Sequence, residues 1–210
     1  MARLLVETGQ DLSHVVLVMM DEYLTASGGK LEYAAPQHSW SCHYFARVEI
    51  LDLLNAGLPI GRRISADSIW FPHPSDPAGY DAIIAAAGGI DFLLLASGAS
   101  DGHVAFNQPG SPRESRTRIV SLSEETRRDN LVTFPAFGEL SAVPRHGITI
   151  GIDTIASVKE AVMVVWGASK RVSLARMLRA KRYESDWPAT VIHECAVREI
   201  LSDDEAALTS

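Results

Sequence analysis

Apolar residues fall along this chain in short runs, set apart by glycine- and polar-rich breaks and interleaved with stretches that carry a helical stripe. The runs at 14–19, 68–71, 92–96, 118–122, 147–152, 161–165 and 197–201 predict strands. Residues 2–8 read as the tail of an amphipathic helix that Gly9 stops. Residues 40–54 carry Tyr44, Val48 and Leu51 at helical spacing and close at Asn55 and Gly57. Residues 78–87 predict a helix ended by Gly88-Gly89. Ser121 and Glu124 have capping-box spacing ahead of a helix through Asn130, and Asp153 is placed to cap a short one. Residues 169–180 predict a helix with basic residues at its end, and Asp186-Trp187-Pro188 an N-cap followed by a first-turn proline. The glycine- and polar-rich stretch 25–38, the prolines of 72–77 and residues 132–146 read as loops, the last a loop or lid; the acidic C-terminal tail reads as frayed.

Strands alternating with helices predict an α/β fold: one domain over residues 1–210, a mostly parallel, Rossmann-like sheet with helices on both faces. A formal net charge of -7 argues against nucleic acid as partner, yet a phosphate is held by a local pocket and stays admissible. Two cysteines, Cys42 and Cys195, make no disulfide framework and read as inert thiols of a reduced, cytoplasmic protein. No apolar run is long enough to span a bilayer, so no membrane partner is expected.

The chemistry concentrates in 97–118. A buried-type strand, Phe92-Leu93-Leu94-Leu95-Ala96, breaks at Gly98 and runs into Asp101-Gly102-His103, then Asn107, Gln108, a Pro-Gly turn and Arg113, Arg116 and Arg118. Such a loop places polar groups at the carboxyl edge of a sheet. Asp21-Glu22, after an earlier strand, reads either as a strand-end turn with a helix cap or as a second source of carboxylates. The three arginines read as a solvated face, and His193-Glu194-Cys195 as helix surface, since its spacing fits no common zinc pattern.

The segment DGHVAFNQPGS followed by SRTR resembles the signature of the glucosamine-6-phosphate deaminase/isomerase family, where it reads approximately DGHIAFNEPGS. Met20-Asp21-Glu22-Tyr23, the 147–154 segment and Trp166-Gly167-Ala168-Ser169-Lys170 are similar to three further elements of that family. The resemblance implies conversion of an amino-sugar phosphate to a ketose phosphate and ammonia. It implies His103 as the ring opener, Asp101 as its carboxylate neighbour and Asp21 as the acid/base at carbon. Gln108 falls where the family has a catalytic glutamate; Gly102, Asn107 and Lys170 would bind substrate, Lys170 through the phosphate. It implies a small-molecule sugar phosphate as partner and no metal or organic cofactor, and it is compatible with a homo-oligomer.

Three departures bear on this. The strand and Gly/Ser/Thr-rich loop that open the family's sequences have no counterpart, so the domain reads as N-terminally incomplete, which would leave two neighbouring strands with unpaired edges. Gln108 is unable to ionise, so His103 loses an anionic neighbour. No arginine follows Asn130, where Leu131-Val132-Thr133-Phe134-Pro135 stands. A non-catalytic sugar-phosphate-binding or regulatory homologue, or a 6-phosphogluconolactonase-like hydrolase, therefore remain alternatives.

Overall fold

The structure is a computed structural model and describes residue 4 and residues 7–207. The helix expected at 2–8 and the last residues of the tail lie largely outside that range. Among the described residues, nine strands form three sheets. Strands β1 (Leu17–Val18) and β4 (Ile69–Trp70) pair in parallel, as do β5 (Phe92–Ala96), β8 (Glu160–Val165) and β9 (Val197–Ser202), in the order β5-β8-β9. Strands β2 (Asp21–Ser27), β3 (Lys30–Tyr33), β6 (Arg118–Ser121) and β7 (His146–Thr149) make an antiparallel sheet in the order β3-β2-β7-β6. The α/β class and the parallel strands are as expected. The antiparallel sheet is an addition.

Two of its strands, β6 and β7, lie in runs expected to be strands, and β3 with the end of β2 comes from the stretch 25–38 expected to be a loop. Gly28 and Gly29 adopt φ +56° and +80°, the successive positive angles that a two-residue hairpin turn demands. Ser27 then pairs with Lys30 and Leu24 with Tyr33. The glycines that suggested irregular backbone are the turn of a regular hairpin.

Helix α1 starts at Cys42–Tyr44, continues as a π-helical stretch over Phe45–Leu51 and ends at Asp52–Asn55. Helix α2 (Pro77–Ala86) is capped by the Asp76 carboxylate, which accepts from Gly79 N–H, with Pro77 in the first turn. Helix α3 (Glu124–Thr133) is capped by Ser123, not Ser121, because Ser123 Oγ is the group that reaches Thr126 N–H. Helix α4 (Ile152–Ala156) has Gly151 at its cap, and Asp153 instead pairs with Arg113 and Arg116. Helix α5 (Arg171–Arg179) lies within the expected span, and α6 (Asp204–Ala207) orders part of the acidic tail. At 188–194 the chain makes 3-10 turns capped at Trp187, while Asp186 bonds Arg176. These turns bury Ala189, Val191 and Ile192, so His193-Glu194-Cys195 is not helix surface. His193 bonds the Met177 carbonyl, Glu194 pairs with Arg113 and Cys195 is buried.

The larger core cluster joins the inward residues of β5 and β8 (Leu93, Leu95, Ala161, Met163) to α4, α5 and the 188–194 turns. A second, under the antiparallel sheet, packs Tyr23 against Phe106 and Phe137 at ring distances of 4.9 and 5.7 Å. Phe137 and Val143 anchor the 132–146 segment in it, so that segment is a packed connection and not a free lid. No helix among the described residues is long and apolar enough to cross a membrane.

Candidate active site

Between β1 and β2 the chain passes from a parallel pair to the antiparallel sheet. Met19 N–H still bonds Trp70 of β4, whereas the Met20 carbonyl accepts from Ile150 beyond β7. Asp21 is the first residue past this switch and pairs with Thr149. The loop after β5 comes to the same place. Phe106 N–H donates to Thr149 Oγ1 at 3.2 Å, and Asn107 Nδ2 donates to the Ile150 carbonyl at 2.8 Å. Two carboxyl-side strand ends thus meet at one backbone junction, the position where open α/β sheets hold ligands.

The loop itself is a set of tight fits. Gly102 has φ +66°, and a Cβ there would lie 2.3 Å from the Trp187 ring. The turn it makes folds Asp101 back on His103, with Asp101 Oδ1 2.7 Å from His103 Nδ1 and 3.0 Å from His103 N. Asp101 Oδ2 accepts from Thr126 Oγ1 of α3 at 2.8 Å. Burial acts to raise the Asp101 carboxyl, but the His103 and Thr126 bonds and the imidazole charge outweigh it and hold the group at about 2. An ionised carboxylate accepts, so Nδ1 carries the hydrogen. The other ring nitrogen, Nε2, has no hydrogen-bond partner among the described residues.

Asp21 is the opposite case. Its carboxyl is enclosed, and burial raises it to about 6. The Cys42 thiol, 3.2 Å from Oδ1, and the His103 charge pull downward, and Glu22 pushes upward. Glu22, fully buried, accepts from Tyr23 N, Ser41 Oγ, Cys42 N, His43 N and His43 Nδ1. Glu22 therefore takes the cap reading and anchors the start of α1, while the Asp21 carboxyl lies within electrostatic reach of the His103 imidazole.

The remaining expected residues divide. Lys170 donates to the Ser97 carbonyl at 2.6 Å; burial lowers its ammonium, against the pull of Asp129 and Asp101. Asn107 is fully buried, with its Nδ2 spent on Val104 and Ile150 carbonyls and its Oδ1 unpartnered. Gln108 has no hydrogen bond to His103. Its Oε1 accepts from Ser123 N and its Nε2 donates to Ser121 O at 2.7 Å, which ties the loop to the start of α3. Arg113 and Arg116 converge on Asp153, and Arg118 bonds Ser111 Oγ, so the arginines tie the loop down.

Sequence reasoning missed Cys42, Thr126 and Asp129. Asp129 Oδ2 accepts from Ala99 and Ser100 N–H at 2.9 and 3.1 Å and closes the loop from beneath. Polar residues on a helix face look solvated in a sequence, and only the fold turns these inward. Asp101, His103 and Asp129 lie close enough to gather around a cation, but the oxygens named above already accept hydrogen bonds.

No protein-family model matches the chain. Among curated proteins, it is 34% identical over 202 residues to glucosamine-6-phosphate deaminase of Shouchella clausii, covering 96% of this chain and 75% of that one. The Bacillus velezensis deaminase is 32% identical over 204 residues, covering 95% and 76%.

The chain belongs to the glucosamine-6-phosphate deaminase family.

Against the Rhodococcus opacus and Beutenbergia cavernae members, at 37% and 40% identity, it spans only 60% and 48% of their lengths. The solved structure of a monomeric glucosamine-6-phosphate deaminase superposes with a TM-score of 0.79 at 26% identity, over 98% of this chain and 79% of that one. A 6-phosphogluconolactonase from Leishmania guyanensis superposes at 0.61 with 15% identity, over 98% and 81%, and shares the fold alone. In this chain the residues that meet at the β1 and β5 strand ends, Asp21 and the 101–107 loop, belong to the segments that carry the resemblance.

Proposed function

We propose that the protein is a glucosamine-6-phosphate deaminase or acts on a close relative of that sugar, converting it with water to the ketose phosphate and ammonia. The observation that carries this reading is the pairing of an ionised Asp101–His103 dyad with a separate, high-pKa Asp21 at one strand-edge junction. Environments that push two carboxyls apart assign them different work. Asp101 holds His103 in the tautomer whose Nε2 is free. That nitrogen takes the anomeric hydroxyl proton and returns it to the ring oxygen, so the ring opens. Asp21, a base poised near neutrality, removes the proton at C2 and delivers it to C1 while a proton of the substrate's own amine passes to O1, and the C2 imine so formed is hydrolysed to ketone and ammonia. Lys170 faces the phosphate, and Gly102 and the Asn107 turn shape the wall. The reading is of a single cytoplasmic domain without metal or organic cofactor, and the monomeric relative makes a monomer its simplest assembly.

The test is release of ammonia and fructose 6-phosphate from glucosamine 6-phosphate by the purified protein, with His103→Ala and Asp21→Asn lowering kcat by roughly 10²–10⁴. No product from any amino-sugar phosphate would overturn it. A second reading, a binding homologue without turnover, is favoured by the engagement of both Gln108 polar atoms with the start of α3. Calorimetric binding of the sugar phosphate by a protein that releases no ammonia is the outcome that selects it.

A further inference from the structure

We propose that Cys42 is a positioning residue for Asp21: its thiol donates a hydrogen bond that orients the carboxylate and keeps it ionisable for proton transfer at carbon. The inference rests on the deaminase reading above, and it adds a residue that none of the quoted motifs contains.

The geometry is built from β2 outward. Glu22 accepts from the Cys42 and His43 N–H groups and from Ser41 Oγ, so the first turn of α1 is pinned to the residue beside Asp21. His43, held by the same carboxylate, stacks on Phe71 at 3.6 Å between ring centroids. This leaves the Cys42 side chain little freedom, and its Sγ lies 3.2 Å from Asp21 Oδ1. Burial, then the charges of Asp21 and Glu22, push the thiol well above its ordinary range, so it keeps its proton and donates. The other titratable groups within electrostatic reach of Asp21 are Glu22 and Tyr23 on its own strand, Tyr80 on α2 and His103 on the loop. Among the described residues, Cys42 is the side chain that reaches it with a hydrogen bond. A donor to the charged form favours that form. Without it, Asp21 faces burial and Glu22 with only the imidazole to compensate.

The experiment compares Cys42→Ala and Cys42→Ser with the parent across pH. Ionised Asp21 is the working form, so kcat rises as pH passes upward through its titration. In Cys42→Ala that acidic limb moves up by roughly one unit, tenfold in proton affinity, while KM changes by less than about threefold because the substrate contacts stay in place. Cys42→Ser, with a hydroxyl donor, returns the limb to the parent position or below. A Cys42→Ala profile that superposes on the parent overturns the proposal, as does a Cys42→Ser limb that moves upward with it. The Asp21 carboxyl is also followed directly by carbon NMR of aspartate-labelled protein, with Asp21→Asn assigning the signal. That titration decides the point even in a protein that turns over no sugar, so failure of the activity and failure of the hydrogen bond are separately visible.

Discussion

Asp21 and Asp101 are the same side chain in opposite surroundings, and each has a measurable consequence. The Asp21 carboxyl stands at about 6, above its ordinary value, because its surroundings desolvate its charge. The folded state therefore binds its proton more tightly than the unfolded chain, and stability falls as pH rises between about 4 and 6. Asp21→Asn removes a charge that the fold pays to bury. Thermal unfolding should show this variant more stable than the parent at pH 7, by on the order of 2 kcal/mol, with the advantage gone near pH 4, while its turnover collapses. Gly102 makes a stricter demand. Gly102→Ala combines a left-handed backbone with a Cβ inside the Trp187 ring. It should cost about 2–4 kcal/mol and lower kcat more than it raises KM, since the Asp101–His103 turn is what moves.

At the scale of elements, α3 acts as the support of the site. Ser123 caps it, Gln108 bonds its first residue, Thr126 reaches Asp101, and Asp129 collects the Ala99 and Ser100 amides. Thr126→Val leaves Asp101 Oδ2 without that donor. The Asp101 carboxyl then rises from about 2 toward its ordinary value. Its stabilising share, present above about 4 and lost as pH falls toward 2, shrinks by about 1–2 kcal/mol. Urea denaturation at pH 7 and at pH 3 should show that loss in full at the higher pH and about half of it at the lower, since pH 3 lies midway through the window. Asp129→Ala frees the two amides, and hydrogen exchange at Ala99 and Ser100 should accelerate while exchange along β5 does not. None of this support was legible in the sequence. The motif residues were, because Asp-Gly-His brings its chemistry together within three positions. Thr126 and Asp129 act across separations of 25 and 30 residues, which no local pattern encodes. Caps were misplaced for a related reason: Ser121, Asp153 and Asp186 are chemically competent caps, and tertiary partners drew each elsewhere or left a neighbour closer to the helix.

At the scale of the whole molecule, apolar periodicity located most of the strands but gave no indication of which would pair. Runs such as Phe92–Ala96 look buried on both faces, and the structure shows alternation instead: Leu93 and Leu95 are 5% and 2% exposed, Phe92 and Leu94 51% and 53%. The register sets Phe92 beside Glu160, Leu94 beside Val162 and Ala96 beside Val164, with Val197 and Leu201 completing the same face on β9. Most of that face is open among the described residues, as is the edge of β5 away from β8, so the parallel strands stand as two separate sheets. The two faces of one strand therefore make a direct test. Leu95→Ala empties a packed site and should cost about 2–5 kcal/mol. Leu94→Ala, on the open face, should cost less than about 1 kcal/mol, because its side chain already meets water in the folded protein. Equilibrium denaturation of the two variants, at several protein concentrations, reads both values. A Leu94→Ala cost as large as that of Leu95→Ala would mean that the face is covered in solution. A cost growing with concentration would assign the cover to a second copy of the chain, and a constant one to a segment of the same chain.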